Sequence, residues 1–111
     1  MPKRRILFLC SRNKWRSPTA EEVFRDHPGV DVDSAGLNPD AVVPLSPEQL
    51  DWADVIMVME NTHRDKLKRR FSSHLRGKRV VVLGIPDDFG FMDEKLVAML
   101  ITRCTPHLPP A

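Results

Sequence analysis

Residues 6–24 of the chain read ILFLCSRNKWRSPTAEEVF. An unbroken apolar run, Ile6 to Leu9, ends on the thiol of Cys10. A basic loop follows, and from Pro18 onward Ala20, Val23, Phe24 and His27 recur at helical spacing. An apolar run without polar alternation suits a strand covered on both faces. Proline suits the first helical turn, where an N–H has no partner anyway. The stretch therefore predicts a buried strand over 5–10, a loop, and a helix over 18–27 that Pro28-Gly29 terminates.

The same pattern repeats along the chain. VDVDSAG (30–36) predicts a second, more peripheral strand, and the breaker-rich GLNPDAVVP (36–44) predicts a loop. Ser46-Pro47-Glu48-Gln49 matches a capping box with proline at the first helical position, opening a helix over 47–53. DVIMVME (54–60) predicts a third, fully buried strand. Asn61 then caps a helix over 62–71 whose apolar stripe is His63, Leu67 and Phe71. RVVVLGI (79–85) predicts a fourth strand, and Leu96, Met99, Leu100 and Arg103 mark a last helix over 92–104. Strand and helix alternating in this way argue for one α/β domain over 1–111, with 105–111 as a loose tail. The expected architecture is a four-stranded parallel sheet with helices on both faces, in flavodoxin-like order. Ligands of such sheets bind beyond the carboxyl ends of the strands, where strand order reverses. The first strand ends there on Cys10.

Composition narrows the class. With 41% hydrophobic and 29% charged residues and a net charge of +2, the chain has no overall pull toward nucleic acid. Cys10 and Cys104 form no C-x-x-C pair, so neither a disulfide framework nor a zinc site is indicated. The opening apolar run is shorter than the roughly 7–15 residues of a signal-peptide core. No stretch approaches the ~18 apolar residues of a membrane span. A reducing cytoplasmic setting is expected, in which Cys10 stays a free thiol. His27, His63, His74 and His107 show no ligand spacing and are read as structural or surface residues; no metal or cofactor is expected. Residues 64–79 hold eight Lys/Arg against Asp65 alone. The common reading is a solvated face; the sharper one is a docking surface for RNA or an acidic protein, without a nucleic-acid motif to support it.

The loop carries the chemistry. Cys10 to Arg16 has the form C-x-x-x-x-x-R, followed by Ser17. A loop between a buried strand and a helix N-terminus turns several backbone N–H groups into one concavity, an anion site helped by the helix dipole. Arg16 adds a planar fork for two phosphate oxygens. A thiol at the floor of that cradle meets the positive potential that favours the nucleophilic thiolate, poised for in-line attack on a bound phosphoryl group. The plainer reading of the same residues is a small buried hydrophobe at Cys10 and a helix cap at Ser17.

CSRNKWRSPTAE resembles the signature C-x-G-N-x-C-R-S-P-x-A-E of the low-molecular-weight protein tyrosine phosphatases at Cys10, Asn13, Arg16, Ser17, Pro18, Ala20 and Glu21. DSAG (33–36) and WADVIMVMENTHRDKL (52–67) extend the resemblance over most of the chain. It implies a cysteine-dependent phosphomonoesterase, most simply a protein tyrosine phosphatase, that forms a phosphocysteine. Cys10 is then the nucleophile and Arg16 the clamp, while Asn13 holds the loop and Ser17 stabilises the thiolate. Ser11, Arg12, Asn13, Lys14, Trp15, Arg16 and Ser17 make up the phosphate site. The family's Asp-Pro-Tyr loop aligns with IPDDFGF (85–91), so Asp87 falls on the general acid, with Asp88 as the alternative acid and Phe89 on the aromatic substrate wall; the plainer reading of Phe89 is a core residue.

The departures from the pattern are informative. Arg12 stands where the family has glycine, Lys14 at its variable position, and Trp15 where it has a second cysteine. Trp15 cannot form the protective disulfide that this cysteine offers in the family. Arg12 and Lys14 make the rim cationic, which favours substrates with further negative charge and disfavours a phosphoarginine guanidinium. Trp15 either walls the cleft or packs beneath the loop. Cys104 is expected in the core of the last helix. The partner implied is a phosphorylated substrate, by default a phosphotyrosine protein. The alternatives are a phosphorylated metabolite or nucleic acid as substrate, or a non-catalytic phosphate- or RNA-binding module on the same fold.

Overall fold

In the computed structural model, which describes residues 3–109, the run around Ile6 forms β1 (Arg4–Cys10) in the interior of a four-stranded parallel sheet. β2 (Val30–Gly36) and β3 (Val55–Val58) flank it, and β4 (Arg79–Val82) pairs with the far side of β3. The order β2-β1-β3-β4 is flavodoxin-like, with its switch point between β1 and β3.

Helices cover both faces. α1 (Arg16–Phe24) and α4 (Glu94–Cys104) lie on one, and α2 (Pro47–Trp52) and α3 (Asn61–Phe71) on the other. The pleat of β1 sorts its side chains between them. Ile6, Phe8 and Cys10 join the cluster of Phe24, Leu96 and Leu100, whereas Leu7 and Leu9 join that of Leu50, Ile56 and Leu67. Cys10 thus ends an anchored strand.

Several boundaries differ from expectation for local reasons. β4 stops at Val82 because Gly84 takes a left-handed φ of 70°, although Leu83 and Ile85 still donate to the carbonyls of Val58 and Met59. The Ser46 capping box forms with Gln49 as expected. Asn61, however, does not cap α3; Glu60 does, its backbone N–H donating to His63 Nδ1. Residues 105–109 are not a loose tail. Thr105–His107 form a short 3-10 turn, Leu108 packs on the α1/α4 core, and His27 Nε2 lies 3.1 Å from the Pro109 carbonyl. Residues 110–111 of that expected tail lie outside the described residues. Among the described residues no helix is long and apolar enough to cross a membrane.

Candidate active site

The loop after Cys10 is held from behind. The carbonyl of Cys10 accepts from Leu37 N–H, that of Ser11 from Asn38 N–H and that of Arg12 from Val42 N–H, each at 2.9–3.0 Å. In a trans peptide the following N–H points the opposite way. The N–H groups of Ser11, Arg12 and Asn13 therefore turn inward, and Asn13 N–H duly lies 3.2 Å from Cys10 Sγ. The Trp15 carbonyl accepts from Thr19 N–H within α1, so the Arg16 N–H points out of the helix N-terminus. These are the inward donors that an anion cradle requires.

Buried side chains lock the loop's shape. Asn13 takes a φ of 55°, a left-handed conformation that asparagine tolerates better than most residues. Its Nδ2 donates to Ser17 Oγ at 2.9 Å and to Ser34 Oγ at 3.0 Å. Ser34 in turn donates to Glu21 Oε1. Ser17 Oγ lies 3.0 Å from Cys10 Sγ. With Asn13 donating to it, Ser17 Oγ has one proton to give, within reach of Cys10 Sγ at 3.0 Å and of the Ala35 carbonyl at 3.4 Å. The Asn13 N–H and the Ser17 hydroxyl thus both stand against Sγ.

Arg16 is buried at 2% exposure, and its charge is balanced. Nη1 pairs with Glu60 Oε1 and donates to the Ile85 carbonyl at 2.9 Å, while Nε faces Asp87 Oδ1 at 3.6 Å. Cys10, Ser11, Arg16, Asn38 and Asp87 line one cleft of about 510 Å³, with the exposed Arg12, Lys14 and Trp15 completing its lining. Lys14 Nζ sits 4.8 Å from the Trp15 ring centroid, a cation–π contact, so Trp15 walls the cleft rather than packing beneath the loop.

Both aspartates are exposed, but Asp87 lines the cleft and Asp88 does not. Phe89 is not a cleft wall either. It packs, half-buried, on the α1/α4 core, where an apolar ring buries more surface than it would beside the cationic rim. Three cleft neighbours escaped the sequence reading: Glu60, His63 and Asn38. His63 is buried, its Nε2 2.9 Å from Ser11 Oγ, and burial together with the Arg16 charge lowers its pKa to about 4. Glu60 with His63 three residues on has the spacing of a capping box, a sequence signal for a helix N-terminus here. Cys104 is fully buried in α4, and burial raises its pKa to about 12.

The parallel sheet thus delivers Cys10 and Arg16 into one concavity at its switch point, ringed by inward-turned N–H groups. No protein-family model matches the chain. A curated protein-arginine-phosphatase of Geobacillus stearothermophilus is 32% identical over a match that takes in 60% of this chain; the chain spans 62% of that relative's length. Two solved structures share the fold. The YwlE arginine phosphatase from Geobacillus stearothermophilus superposes with a TM-score of 0.71 at 23% identity, covering 97% of this chain and 99% of its own. The tyrosine phosphatase Wzb from Escherichia coli K30, solved with phosphate, gives 0.75 at 22% identity, covering 93% and 94%. The chain thus shares the fold of these phosphatases.

Proposed function

We propose that the protein is a phosphomonoesterase that works through a phosphocysteine in a reducing, cytoplasmic setting. The observation that carries this reading is the convergence of Asn13 N–H and Ser17 Oγ on Cys10 Sγ beside the buried Arg16. The Cys10 thiolate attacks phosphorus, forming an S–P bond as the ester P–O bond breaks, and the Asp87 carboxyl gives its proton to the leaving oxygen. Water then attacks phosphorus and passes a proton to the Asp87 carboxylate. The S–P bond breaks, releasing phosphate and restoring the thiolate. The loop N–H groups and Arg16 stabilise the equatorial oxygens in both steps.

For the substrate we propose an aryl phosphate ester, phosphotyrosine in a protein, because Arg12 and Lys14 repel a guanidinium at the rim. Phosphoarginine in a protein is the second reading, favoured by the name of the curated relative. Hydrolysis of p-nitrophenyl phosphate in a metal chelator, inhibited by vanadate and abolished by Cys10→Ser, is the expected result. A wild-type protein that binds phosphate but leaves this ester intact, or activity surviving in Cys10→Ser, refutes the mechanism. Phosphotyrosine peptides against phosphoarginine protein then decide the substrate.

A further inference from the structure

The start of α3 touches the loop twice, and the reaction proposed above accounts for only one contact. Glu60 holds Arg16, the loop's last residue. His63 is 2% exposed and engages a partner at each ring nitrogen: Nδ1 lies 3.1 Å from the backbone N of Glu60, and Nε2 lies 2.9 Å from Ser11 Oγ. A backbone N–H can only donate, so Nδ1 is the unprotonated nitrogen and the ring proton sits on Nε2. It is donated to Ser11 Oγ. Burial and the Arg16 charge, which hold the pKa to about 4, keep this neutral tautomer in place through the neutral range.

Helix capping needs Nδ1 alone. The Nε2 bond adds nothing to α3 and points across to the opening residue of the cradle. Resting on the phosphatase reading, we infer that His63 is a positioning residue. Through Ser11 it fixes the start of the phosphate loop against the helix terminus that, through Glu60, fixes Arg16 at its end. Both ends of the cradle then share one rigid reference, which preorganised N–H donors require, since donors displaced from the oxyanions lose their effect.

The two bonds are separable by substitution. The asparagine carbonyl of His63→Asn stands where Nδ1 stood and keeps the cap; the longer amide of His63→Gln brings an N–H to the place of Nε2. With p-nitrophenyl phosphate, His63→Asn should lose about tenfold in kcat/KM, the scale of one well-made hydrogen bond, and bind inorganic phosphate correspondingly more weakly. His63→Gln should stay within about threefold on both counts. Thermal stability should rank the other way, with the cap-retaining asparagine nearer wild type. Ser11→Ala should match His63→Asn, and the double variant should be no worse than either single.

Wild-type kinetics in His63→Asn or in Ser11→Ala, or losses that add in the double variant, overturn the inference. If His63→Gln falls as far as His63→Asn, the cycle with Ser11→Ala decides: additive losses refute, and non-additive losses uphold. A wild-type protein without hydrolytic activity sinks the phosphatase reading alone, because phosphate affinity by calorimetry still tests His63. A wild type that binds no phosphate either sinks both.

Discussion

Gly36→Ala tests how the phosphate loop is held from behind. A Cβ built on Gly36 would stand 2.5 Å from Ala41 Cβ, 2.8 Å from the Ser11 carbonyl oxygen and 2.9 Å from the Arg12 carbonyl carbon. Two of these atoms are loop backbone, tied to Asn38 and Val42 by hydrogen bonds, and cannot swing aside like a side-chain end. Gly36 cannot retreat either, since its N–H donates to the Val43 carbonyl and its carbonyl accepts from Leu45. Overpacking costs ~1–3 kcal/mol, and three contacts this short belong at the upper end, about 3 kcal/mol. At ~4–8 °C per kcal/mol for a domain near this size, Tm should fall by roughly 12–24 °C. Relief of the clash moves the cradle, so kcat/KM should fall as well, by up to about a hundredfold for a shift near 1 Å. The assay is thermal unfolding by circular dichroism, paired with p-nitrophenyl phosphate kinetics at a temperature where the variant is folded. Gly90→Ala is the control: nothing lies within 4 Å of its Cβ, and the change should stay within about 0.5 kcal/mol. A Gly36→Ala protein with wild-type Tm and wild-type kinetics would refute the reasoning.

Asp87→Asn should slow aryl phosphate hydrolysis by about a hundredfold or more, whereas Asp88→Asn should have little effect; equal losses would return the acid assignment to an open choice. His63 has a folded-state pKa of about 4 against 6.5 for the free side chain, so between these values the unfolded chain binds the proton first. Stability from this group is therefore complete above about 6.5 and lost as pH falls toward 4, by about 3 kcal/mol. Denaturant midpoints at pH 7 and pH 4.5 should converge between wild type and His63→Gln as pH falls, and parallel curves would exclude the group as a source. Cys104, with its pKa raised to about 12 by burial, should resist alkylation at neutral pH, whereas Cys10 reacts and is protected by phosphate. Mass spectrometry showing both thiols labelled in the folded protein would count against the buried placement.

Most of the fold was legible because its signals are local. Apolar runs buried on both faces marked β1 and β3, and the Ser46-Pro47-Glu48-Gln49 box marked the start of α2. The loop was legible for the same reason: Cys10, Asn13, Arg16 and Ser17 sit within eight residues of sequence. What supports that loop was not. Ser34, Glu60, His63 and Ile85 reach it from three other elements, and only the sheet order decides that their strand ends surround Cys10. Phe89 shows the converse error. Its place in an aromatic-bearing loop motif pointed to the cleft, but an apolar ring next to an open core site packs there instead.

The site divides by burial, and that division locates where substrate preference is set. Cys10, Asn13, Arg16, Ser17, Ser34 and His63 are each at most 5% exposed and joined to one another or to Glu60 and Ser11 by hydrogen bonds or an ion pair. Changing any of them leaves a buried donor, acceptor or charge without its partner, at a cost of about 1–3 kcal/mol or more. They are constrained by one another. Arg12, Lys14 and Trp15 are exposed and bound by no such network, apart from the Lys14–Trp15 contact. They are free to vary at little structural cost while standing where the remainder of a phosphorylated substrate must pass. On the phosphatase reading proposed above, a cationic, aromatic rim over this buried floor alters which phosphate enters without altering how it is cleaved. On that reading, differences in substrate between this chain and the phosphatases it resembles are expected to follow these three side chains, and not the cysteine and arginine beneath them.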